Sequence, residues 1–216
     1  MPDTEGPEPA PPHRGAHPDA DHYFSARPAS PDERRRRTVR LAGRDLDVWT
    51  APGVFSPGRV DLGTQVLLRA VPPPPADGDL ADLGCGWGPL ALTMALRSPA
   101  ARVWAIDVNE RALDLVRRTA ADAGLAGVRA VTPEEVPGDV TFAAVWSNPP
   151  IRVGKGELHA LLARWLPRLA PGGAAHLVVQ RNLGADSLHR WLATELGMPT
   201  ERVGSAKGYR VLRVTR

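Results

Sequence analysis

From residue 78 onward the chain alternates two kinds of apolar pattern, separated by turn residues. Short unbroken apolar runs suit strands buried on both faces, and apolar positions recurring every three or four residues suit helices with one buried face. Strands are predicted at 79–82, 103–106, 128–131, 142–146 and 174–179. A helix is predicted over 89–96. Another starts after Asn109, a good N-cap, buries Leu113, Val116, Ala120 and Ala123, and stops at Gly124. A third spans 157–169 on Leu158, Leu161, Leu162, Trp165 and Leu169, with Gly172-Gly173 turning the chain into the next strand. A fourth carries Leu188, Trp191, Leu192 and Leu196, and a last hairpin is expected near 200–204 and 209–215. Upstream, residues 39–48 alternate apolar and polar around a Gly-containing turn, which predicts a hairpin. A loop follows at 53–58, then a helix over 61–71 with Leu62, Val66 and Leu67 on one face, and a stiff linker at Pro72–Pro75. Strands alternating with helices imply an α/β fold with a mainly parallel sheet.

Composition refines this division. Residues 1–21 are acidic and proline-rich and read as a disordered tail, 22–75 as a hairpin-and-helix extension, and 76–216 as the main domain. The first thirty residues contain no apolar stretch of signal-peptide or membrane-span length, so a cytoplasmic location is expected and no membrane partner. The single cysteine, Cys85, excludes an internal disulfide, and no Cys/His spacing suits a metal. The six histidines are scattered and read as surface or packing residues.

Net charge is +3, yet residues 1–33 hold seven acids against two arginines, leaving the remainder at +8. A basic domain suits a polyanion such as RNA. Charge alone discriminates poorly, because 25 of the 27 basic residues are arginine in a chain rich in Ala, Gly and Pro, as coding bias would give. The run Arg34–Arg37 reads as a solvated arm.

In open α/β sheets, ligands bind beyond the carboxyl ends of the strands. Two motifs stand there. Asp82-Leu83-Gly84-Cys85-Gly86-Trp87-Gly88 joins the first strand of the main domain to its first helix, with glycines for a tight turn and a helix start offering unpaired N–H groups. A dinucleotide turn reads G-x-G-x-x-G, whereas here Pro89 holds the third glycine's place. Asp82 is suited to an amine or an ordered water rather than a pyrophosphate. Asp107, ending the second strand, suits a pair of ribose hydroxyls, although it is also placed to cap the next helix. A ligand with a ribose, a cationic amino-acid end and no phosphate fits best. Cys85 and Trp87 read as lining or packing residues.

The second motif, Asn148-Pro149-Pro150, follows the strand at 142–146. Consecutive prolines donate no backbone hydrogen bonds, and Asn adds a side-chain carbonyl. Asn148 Oδ1 and the Pro149 carbonyl are two adjacent acceptors, which is what an incoming NH₂ group needs to be held with its lone pair directed at an electrophile.

The D-x-G-x-G-x-G run at 82–88 resembles the first motif of the class I S-adenosylmethionine-dependent methyltransferases. The resemblance implies a Rossmann-like fold, with a mainly parallel seven-stranded sheet, helices on both faces and the small hairpin in front. More closely, residues 148–155, together with Gly53–Ser56, Asp61-x-Gly63-Thr64 and Lys207–Val211, resemble the small methyltransferase domain family, over about residues 22–216. That family includes enzymes methylating guanine N2 in small-subunit ribosomal RNA. By this resemblance S-adenosylmethionine is the cofactor, contacted by Asp82, Gly84, Cys85, Gly86, Gly88, Asp107, Val108, Asn148 and Thr64, with Asp61 helping to cover it. Asn148, Pro149 and Pro150 form the catalytic motif, while Phe55, Ile151, Arg152 and Lys155 border the acceptor. The implied partner is ribosomal RNA or a small ribosomal subunit.

Three positions depart from the pattern. Ile151 stands where an aromatic often stacks on the target base. The third strand of the main domain ends in Val131-Thr132-Pro133-Glu134, without the acid or amide that often meets adenine. The better-known ribosomal enzymes carry a second, degenerate copy of the domain, and here one copy is expected, leaving target selection to the tail, the hairpin, a partner or the ribosome. A glutamine side-chain amide or a small molecule is the alternative acceptor. A nicotinamide-dependent oxidoreductase and a non-catalytic binding module are alternatives of other classes, disfavoured by Pro89 and by the intact Asn-Pro-Pro motif respectively.

Overall fold

The computed structural model describes residues 33–150 and 154–216. The expected acidic tail and the positions of Ile151 and Arg152 lie outside the described residues.

β1 (Arg35–Leu41) and β2 (Arg44–Thr50) pair antiparallel, joined by Ala42 and Gly43, both at positive φ, as a two-residue hairpin turn requires. After α1 (Leu62–Ala70) come β3 (Asp79–Leu83), α2 (Pro89–Arg97), β4 (Arg102–Ile106), α3 (Glu110–Asp122), β5 (Val128–Val131) and β6 (Phe142–Ser147). Then follow α4 (Lys155–Trp165), β7 (Leu169–Gln180), α5 (Ala185–Thr194), β8 (Thr200–Ala206) and β9 (Tyr209–Thr215). The main sheet has seven strands in the order β5-β4-β3-β6-β7-β9-β8, parallel through β7 and antiparallel at β9 and β8. This is the mixed, mainly parallel Rossmann-like sheet that the sequence implies. No helix among the described residues is long and apolar enough to cross a membrane.

The central strands alternate between two cores, as a period of two dictates. Val103 and Ala105 of β4 join Leu67, Leu90, Met94, Leu113 and Val116 on the face covered by α1, α2 and α3. Trp104 and Ile106 join Leu162, Trp165, Leu188 and Leu192 on the face covered by α4 and α5. The hairpin buries Leu41 and Val48 against Trp87, Leu92, Ala112 and Leu115, so it shares a core with α2 and α3.

Three expectations change. The arginine run is not an arm: Arg35–Arg37 belong to β1, Arg34 pairs with Asp114 at 2.9 Å, and Arg36 pairs with Asp122 at 2.5 Å while lying over the Trp49 ring. Helix α4 ends at Trp165 rather than Leu169, because Pro167 enters a single 3-10 turn at Leu166–Arg168 and Leu169 already pairs with Phe142. Gly172-Gly173 does not precede β7 but lies within it, where the register to β6 shifts. A Cβ on Gly173 would stand 2.7 Å from the Phe142 carbonyl oxygen, so the close approach demands glycine. Among the histidines, His176 is buried in β7, where burial depresses its pKa to about 4, and His159 stacks on Trp191 with centroids 3.8 Å apart.

Candidate active site

Strand order reverses at β3: the chain runs outward to β4 and β5, then returns to place β6 on the other side. The crevice beyond the carboxyl ends of β3 and β6 is therefore the switch point. The two motifs meet there, because Leu83 and Ser147 are register partners and Ser147 Oγ donates to the Leu83 carbonyl at 2.7 Å. A Cβ built on Gly84 would lie 3.6 Å from Pro150 Cδ, so the loops are in near contact.

The glycine turn works as its sequence suggests. Gly84 (φ 71°), Gly86 (φ 54°) and Gly88 (φ 89°) all adopt left-handed backbone, and Gly88 is the N-cap of α2 with Pro89 in the first turn. The Asp82 carboxylate, 1% exposed, accepts from Ala91 N at 2.9 Å at the start of α2. Burial raises its pKa to about 8, an effect that the helix N–H opposes and the neighbouring Asp107 reinforces. Asp107 uses one oxygen on Gly86 N at 2.8 Å and the other on Asn109 N at 2.9 Å, and burial raises its pKa too. It thus fixes the turn and still keeps lone pairs on both oxygens. The Cys85 thiol is buried and its pKa is pushed well up, so it stays a protonated packing group.

Asn148 is held by α1. Its Nδ2 donates to Asp61 Oδ1 at 3.0 Å and to Thr64 Oγ1 at 3.1 Å. Asp61 is the N-cap of α1, and the same Oδ1 accepts from Gly63 N and Thr64 N. A carboxylate that only accepts must face the amide NH₂, which fixes which way round Asn148 stands and leaves Oδ1 as the group it can offer. The fit is close: a Cβ on Gly63 would lie 3.0 Å from Tyr209 Cε1 and 3.2 Å from Asp61 Oδ1.

These groups line one cavity of about 380 Å³, within the range of small-molecule sites. Of the sequence-predicted residues, Thr64, Asp82, Gly84, Cys85, Gly86, Asp107, Val108, Asn148, Pro149 and Pro150 all face it, as do Phe55 and Asp61. Gly88 acts from behind as the α2 cap. Lys155 is exposed at the start of α4 and is not among the lining residues. Thr132 and Glu134 do not line it either: Thr132 N donates to Glu135 and Glu134 pairs with Arg164, leaving Pro133 at the wall.

Sequence reading assigned no role to Gln180, Leu183 and Tyr209, which close the side beyond β6. It also missed the straps over the Gly53–Ser56 loop: Trp87 Nε1 donates to the Ser56 carbonyl at 3.0 Å, and Asn109 Nδ2 to that of Gly53 at 2.9 Å. Phe55, Val108 and Leu183, exposed by 44–48%, are three large apolar side chains of the lining.

The wall carries three carboxylates, Asp61, Asp82 and Asp107, and no Lys, Arg or His among the described residues. Such a set of acceptors suits a cationic ligand with hydroxyls and is unfavourable to a pyrophosphate.

A model of the methyltransferase small domain family matches residues 45–213. YbxB of Bacillus subtilis (strain 168), an uncharacterized protein, is 32% identical over 90% of this chain and 98% of its own length. The ribosomal RNA small subunit methyltransferase C of Pseudomonas aeruginosa (strain LESB58) is 35% identical over 85% of this chain. The structure of the T. thermophilus 16S rRNA N2 methyltransferase RsmC, in complex with AdoMet and guanosine, covers 88% of this chain at a TM-score of 0.74 and 25% identity. The chain spans 56% of the Pseudomonas enzyme and 52% of the T. thermophilus one, about half of each. This chain belongs to the methyltransferase small domain family, and it is a methyltransferase built on the Rossmann-like fold of the S-adenosylmethionine-dependent enzymes.

Proposed function

We propose that this enzyme methylates the exocyclic N2 amine of a guanine in small-subunit ribosomal RNA. The methyl donor of its family is S-adenosylmethionine, which supplies an electrophilic methyl group on sulfonium. Asp82 and Asp107 are suited to that donor: an acid buried beside a helix start for the ammonium end, and a carboxylate with spare lone pairs for the ribose hydroxyls.

The observation that carries the acceptor assignment is the orientation of Asn148. Its donors are engaged by Asp61 and Thr64, so its oxygen is the group left to accept a hydrogen from an incoming amine. Buried Pro149, which has no N–H, contributes its carbonyl as the second acceptor. An exocyclic base amine is weakly nucleophilic because its lone pair is delocalised into the ring. Holding both hydrogens orients that lone pair, and positioning of this kind lowers the barrier without a strong base. The proton leaves once the methyl group has arrived. Phe55, half-exposed, offers a face for the base. The choice of ribosomal RNA is supported by the relatives that share this domain and by its positive charge.

Labelled S-adenosylmethionine incubated with small ribosomal subunits from cells lacking the gene tests this. Label should enter the RNA fraction. Label confined to protein, as for a glutamine amide acceptor, would overturn the RNA assignment.

A further inference from the structure

A second, shallower groove of about 580 Å³ lies beside the first, between the hairpin, α1 and α2. Four arginines from four separate segments line it: Arg40 of β1, Arg59 before α1, Arg69 in the last turn of α1, and Arg97 in the last turn of α2. All four are exposed, and no acidic residue lines the groove among the described residues. Arg40 meets Asp45 at 3.2 Å in a pair with both members about two-thirds exposed, which neutralises little. The side chains of Arg59, Arg69 and Arg97 have no ion pair or hydrogen bond among the described residues. The contrast is with Arg34 and Arg36, whose charges answer Asp114 and Asp122 on α3.

Resting on the RNA reading above, we infer that this groove holds the phosphate backbone of the RNA next to the target nucleotide. Guanidinium groups match phosphate oxygens in pairs and are less costly to desolvate than ammonium groups. Position supports one continuous path. Helix α1 has its first turn in the cavity, at Asp61 and Thr64, and its last turn in the groove, at Arg69. Arg69 follows Thr64 by five positions along the helix, about 7.5 Å along the axis. Similarly, Phe55 in the cavity and Arg59 in the groove belong to the same short loop. A strand whose base enters the cavity therefore passes its neighbouring phosphates along these arginines. Arg69 and Arg97 also complement the negative ends of their helices, a structural role that leaves their charged heads in solvent.

The test is binding of full-length small-subunit ribosomal RNA across a salt series. Wild type is compared with the combined Arg40→Gln, Arg59→Gln, Arg69→Gln, Arg97→Gln variant, with thermal stability and donor binding measured on both. Four lost phosphate contacts should lower the slope of log K against log salt by about 3, and weaken binding roughly tenfold or more near 0.1 M salt. Donor binding should stay unchanged. A purely structural role would lower thermal stability and leave the salt slope intact. If the fourfold variant does not fold, Arg59→Gln with Arg69→Gln should lower the slope by about 1.4. Equal affinity and slope in wild type and variant, with RNA still methylated, overturn the groove and leave the acceptor reading standing. Groove-dependent binding without any methylation does the reverse. No RNA binding by the wild type overturns both.

Discussion

Asn148 Nδ2 lies 3.0 Å from Asp61 Oδ1, across 87 positions of sequence, and this bond joins the loop after β6 to the N-cap of α1. One carboxylate oxygen thus starts a helix and orients the side chain proposed to receive the acceptor. The donors of Asn148 are matched to fixed acceptors before any substrate arrives, which is preorganisation in its simplest form.

Asn148→Ala should reduce kcat by about 10²–10³, the range for losing one well-placed polar group, while the donor Kd stays within about threefold. Steady-state kinetics with direct donor titration check this. Unchanged turnover would remove Asn148 from the mechanism.

Asp61→Ala should act through Asn148. It removes the α1 cap, costing about 1 kcal/mol of stability, and frees the amide to rotate, lowering kcat roughly tenfold or more. In an Asn148→Ala background the same change should leave kcat where it was, because nothing remains to orient. Additive losses in the double-mutant cycle would show that Asp61 acts by another route.

Asp82 predicts a pH signature. Its folded pKa of about 8 lies above the unfolded value of 3.8, so between these limits the folded state holds a proton that the unfolded state releases. Stability therefore falls as pH rises through that window and levels off above it. Thermal unfolding of wild type and Asp82→Asn from pH 5 to 9 should diverge in favour of the variant toward high pH. A cationic donor favours the ionised acid, so wild-type donor affinity should weaken as pH falls below about 8, by up to about tenfold per unit, and Asp82→Asn should bind weakly without that dependence. Parallel pH profiles would place the donor's charge elsewhere.

Gly88→Ala should destabilise the protein by about 2–4 kcal/mol, from left-handed strain together with overpacking. Its φ is 89°, and the new Cβ would lie 2.8 Å from Val116 Cγ2 in the core. Denaturant unfolding measures the loss, and a change under 0.5 kcal/mol would mean that the turn relaxes freely.

Much of this architecture was legible because local and global signals agree. The unbroken apolar run at Val103–Ile106 is a strand buried on both faces, and Asn109 with Gly124 brackets α3. Asp82–Gly88 and Asn148–Pro150 could be paired because parallel sheets gather strand ends at one edge. What stayed hidden depends on contacts distant in sequence. Gln180 and Leu183 reach the cavity from the carboxyl end of β7, and Tyr209 because β9 pairs with β7 and sets it opposite Gln180. The Lys207–Val211 stretch carried the family resemblance but showed no role for Tyr209. The arginine run drew attention as a charge block, yet α3 neutralises part of it, while the groove arginines are single residues scattered over 58 positions. Pro167 in the 3-10 turn ended α4 early although the apolar spacing continued to Leu169, because spacing records burial and not backbone continuity.

The measurement that tests the central claim most directly is nucleoside analysis of small-subunit RNA labelled by the purified enzyme from methyl-labelled S-adenosylmethionine. Complete digestion should place the label in N2-methylguanosine, with Asn148→Ala giving almost none. Label in any other nucleoside, or none in RNA while the donor binds, would contradict the assignment of Asn148 and Pro149 as the pair that holds a guanine N2 amine.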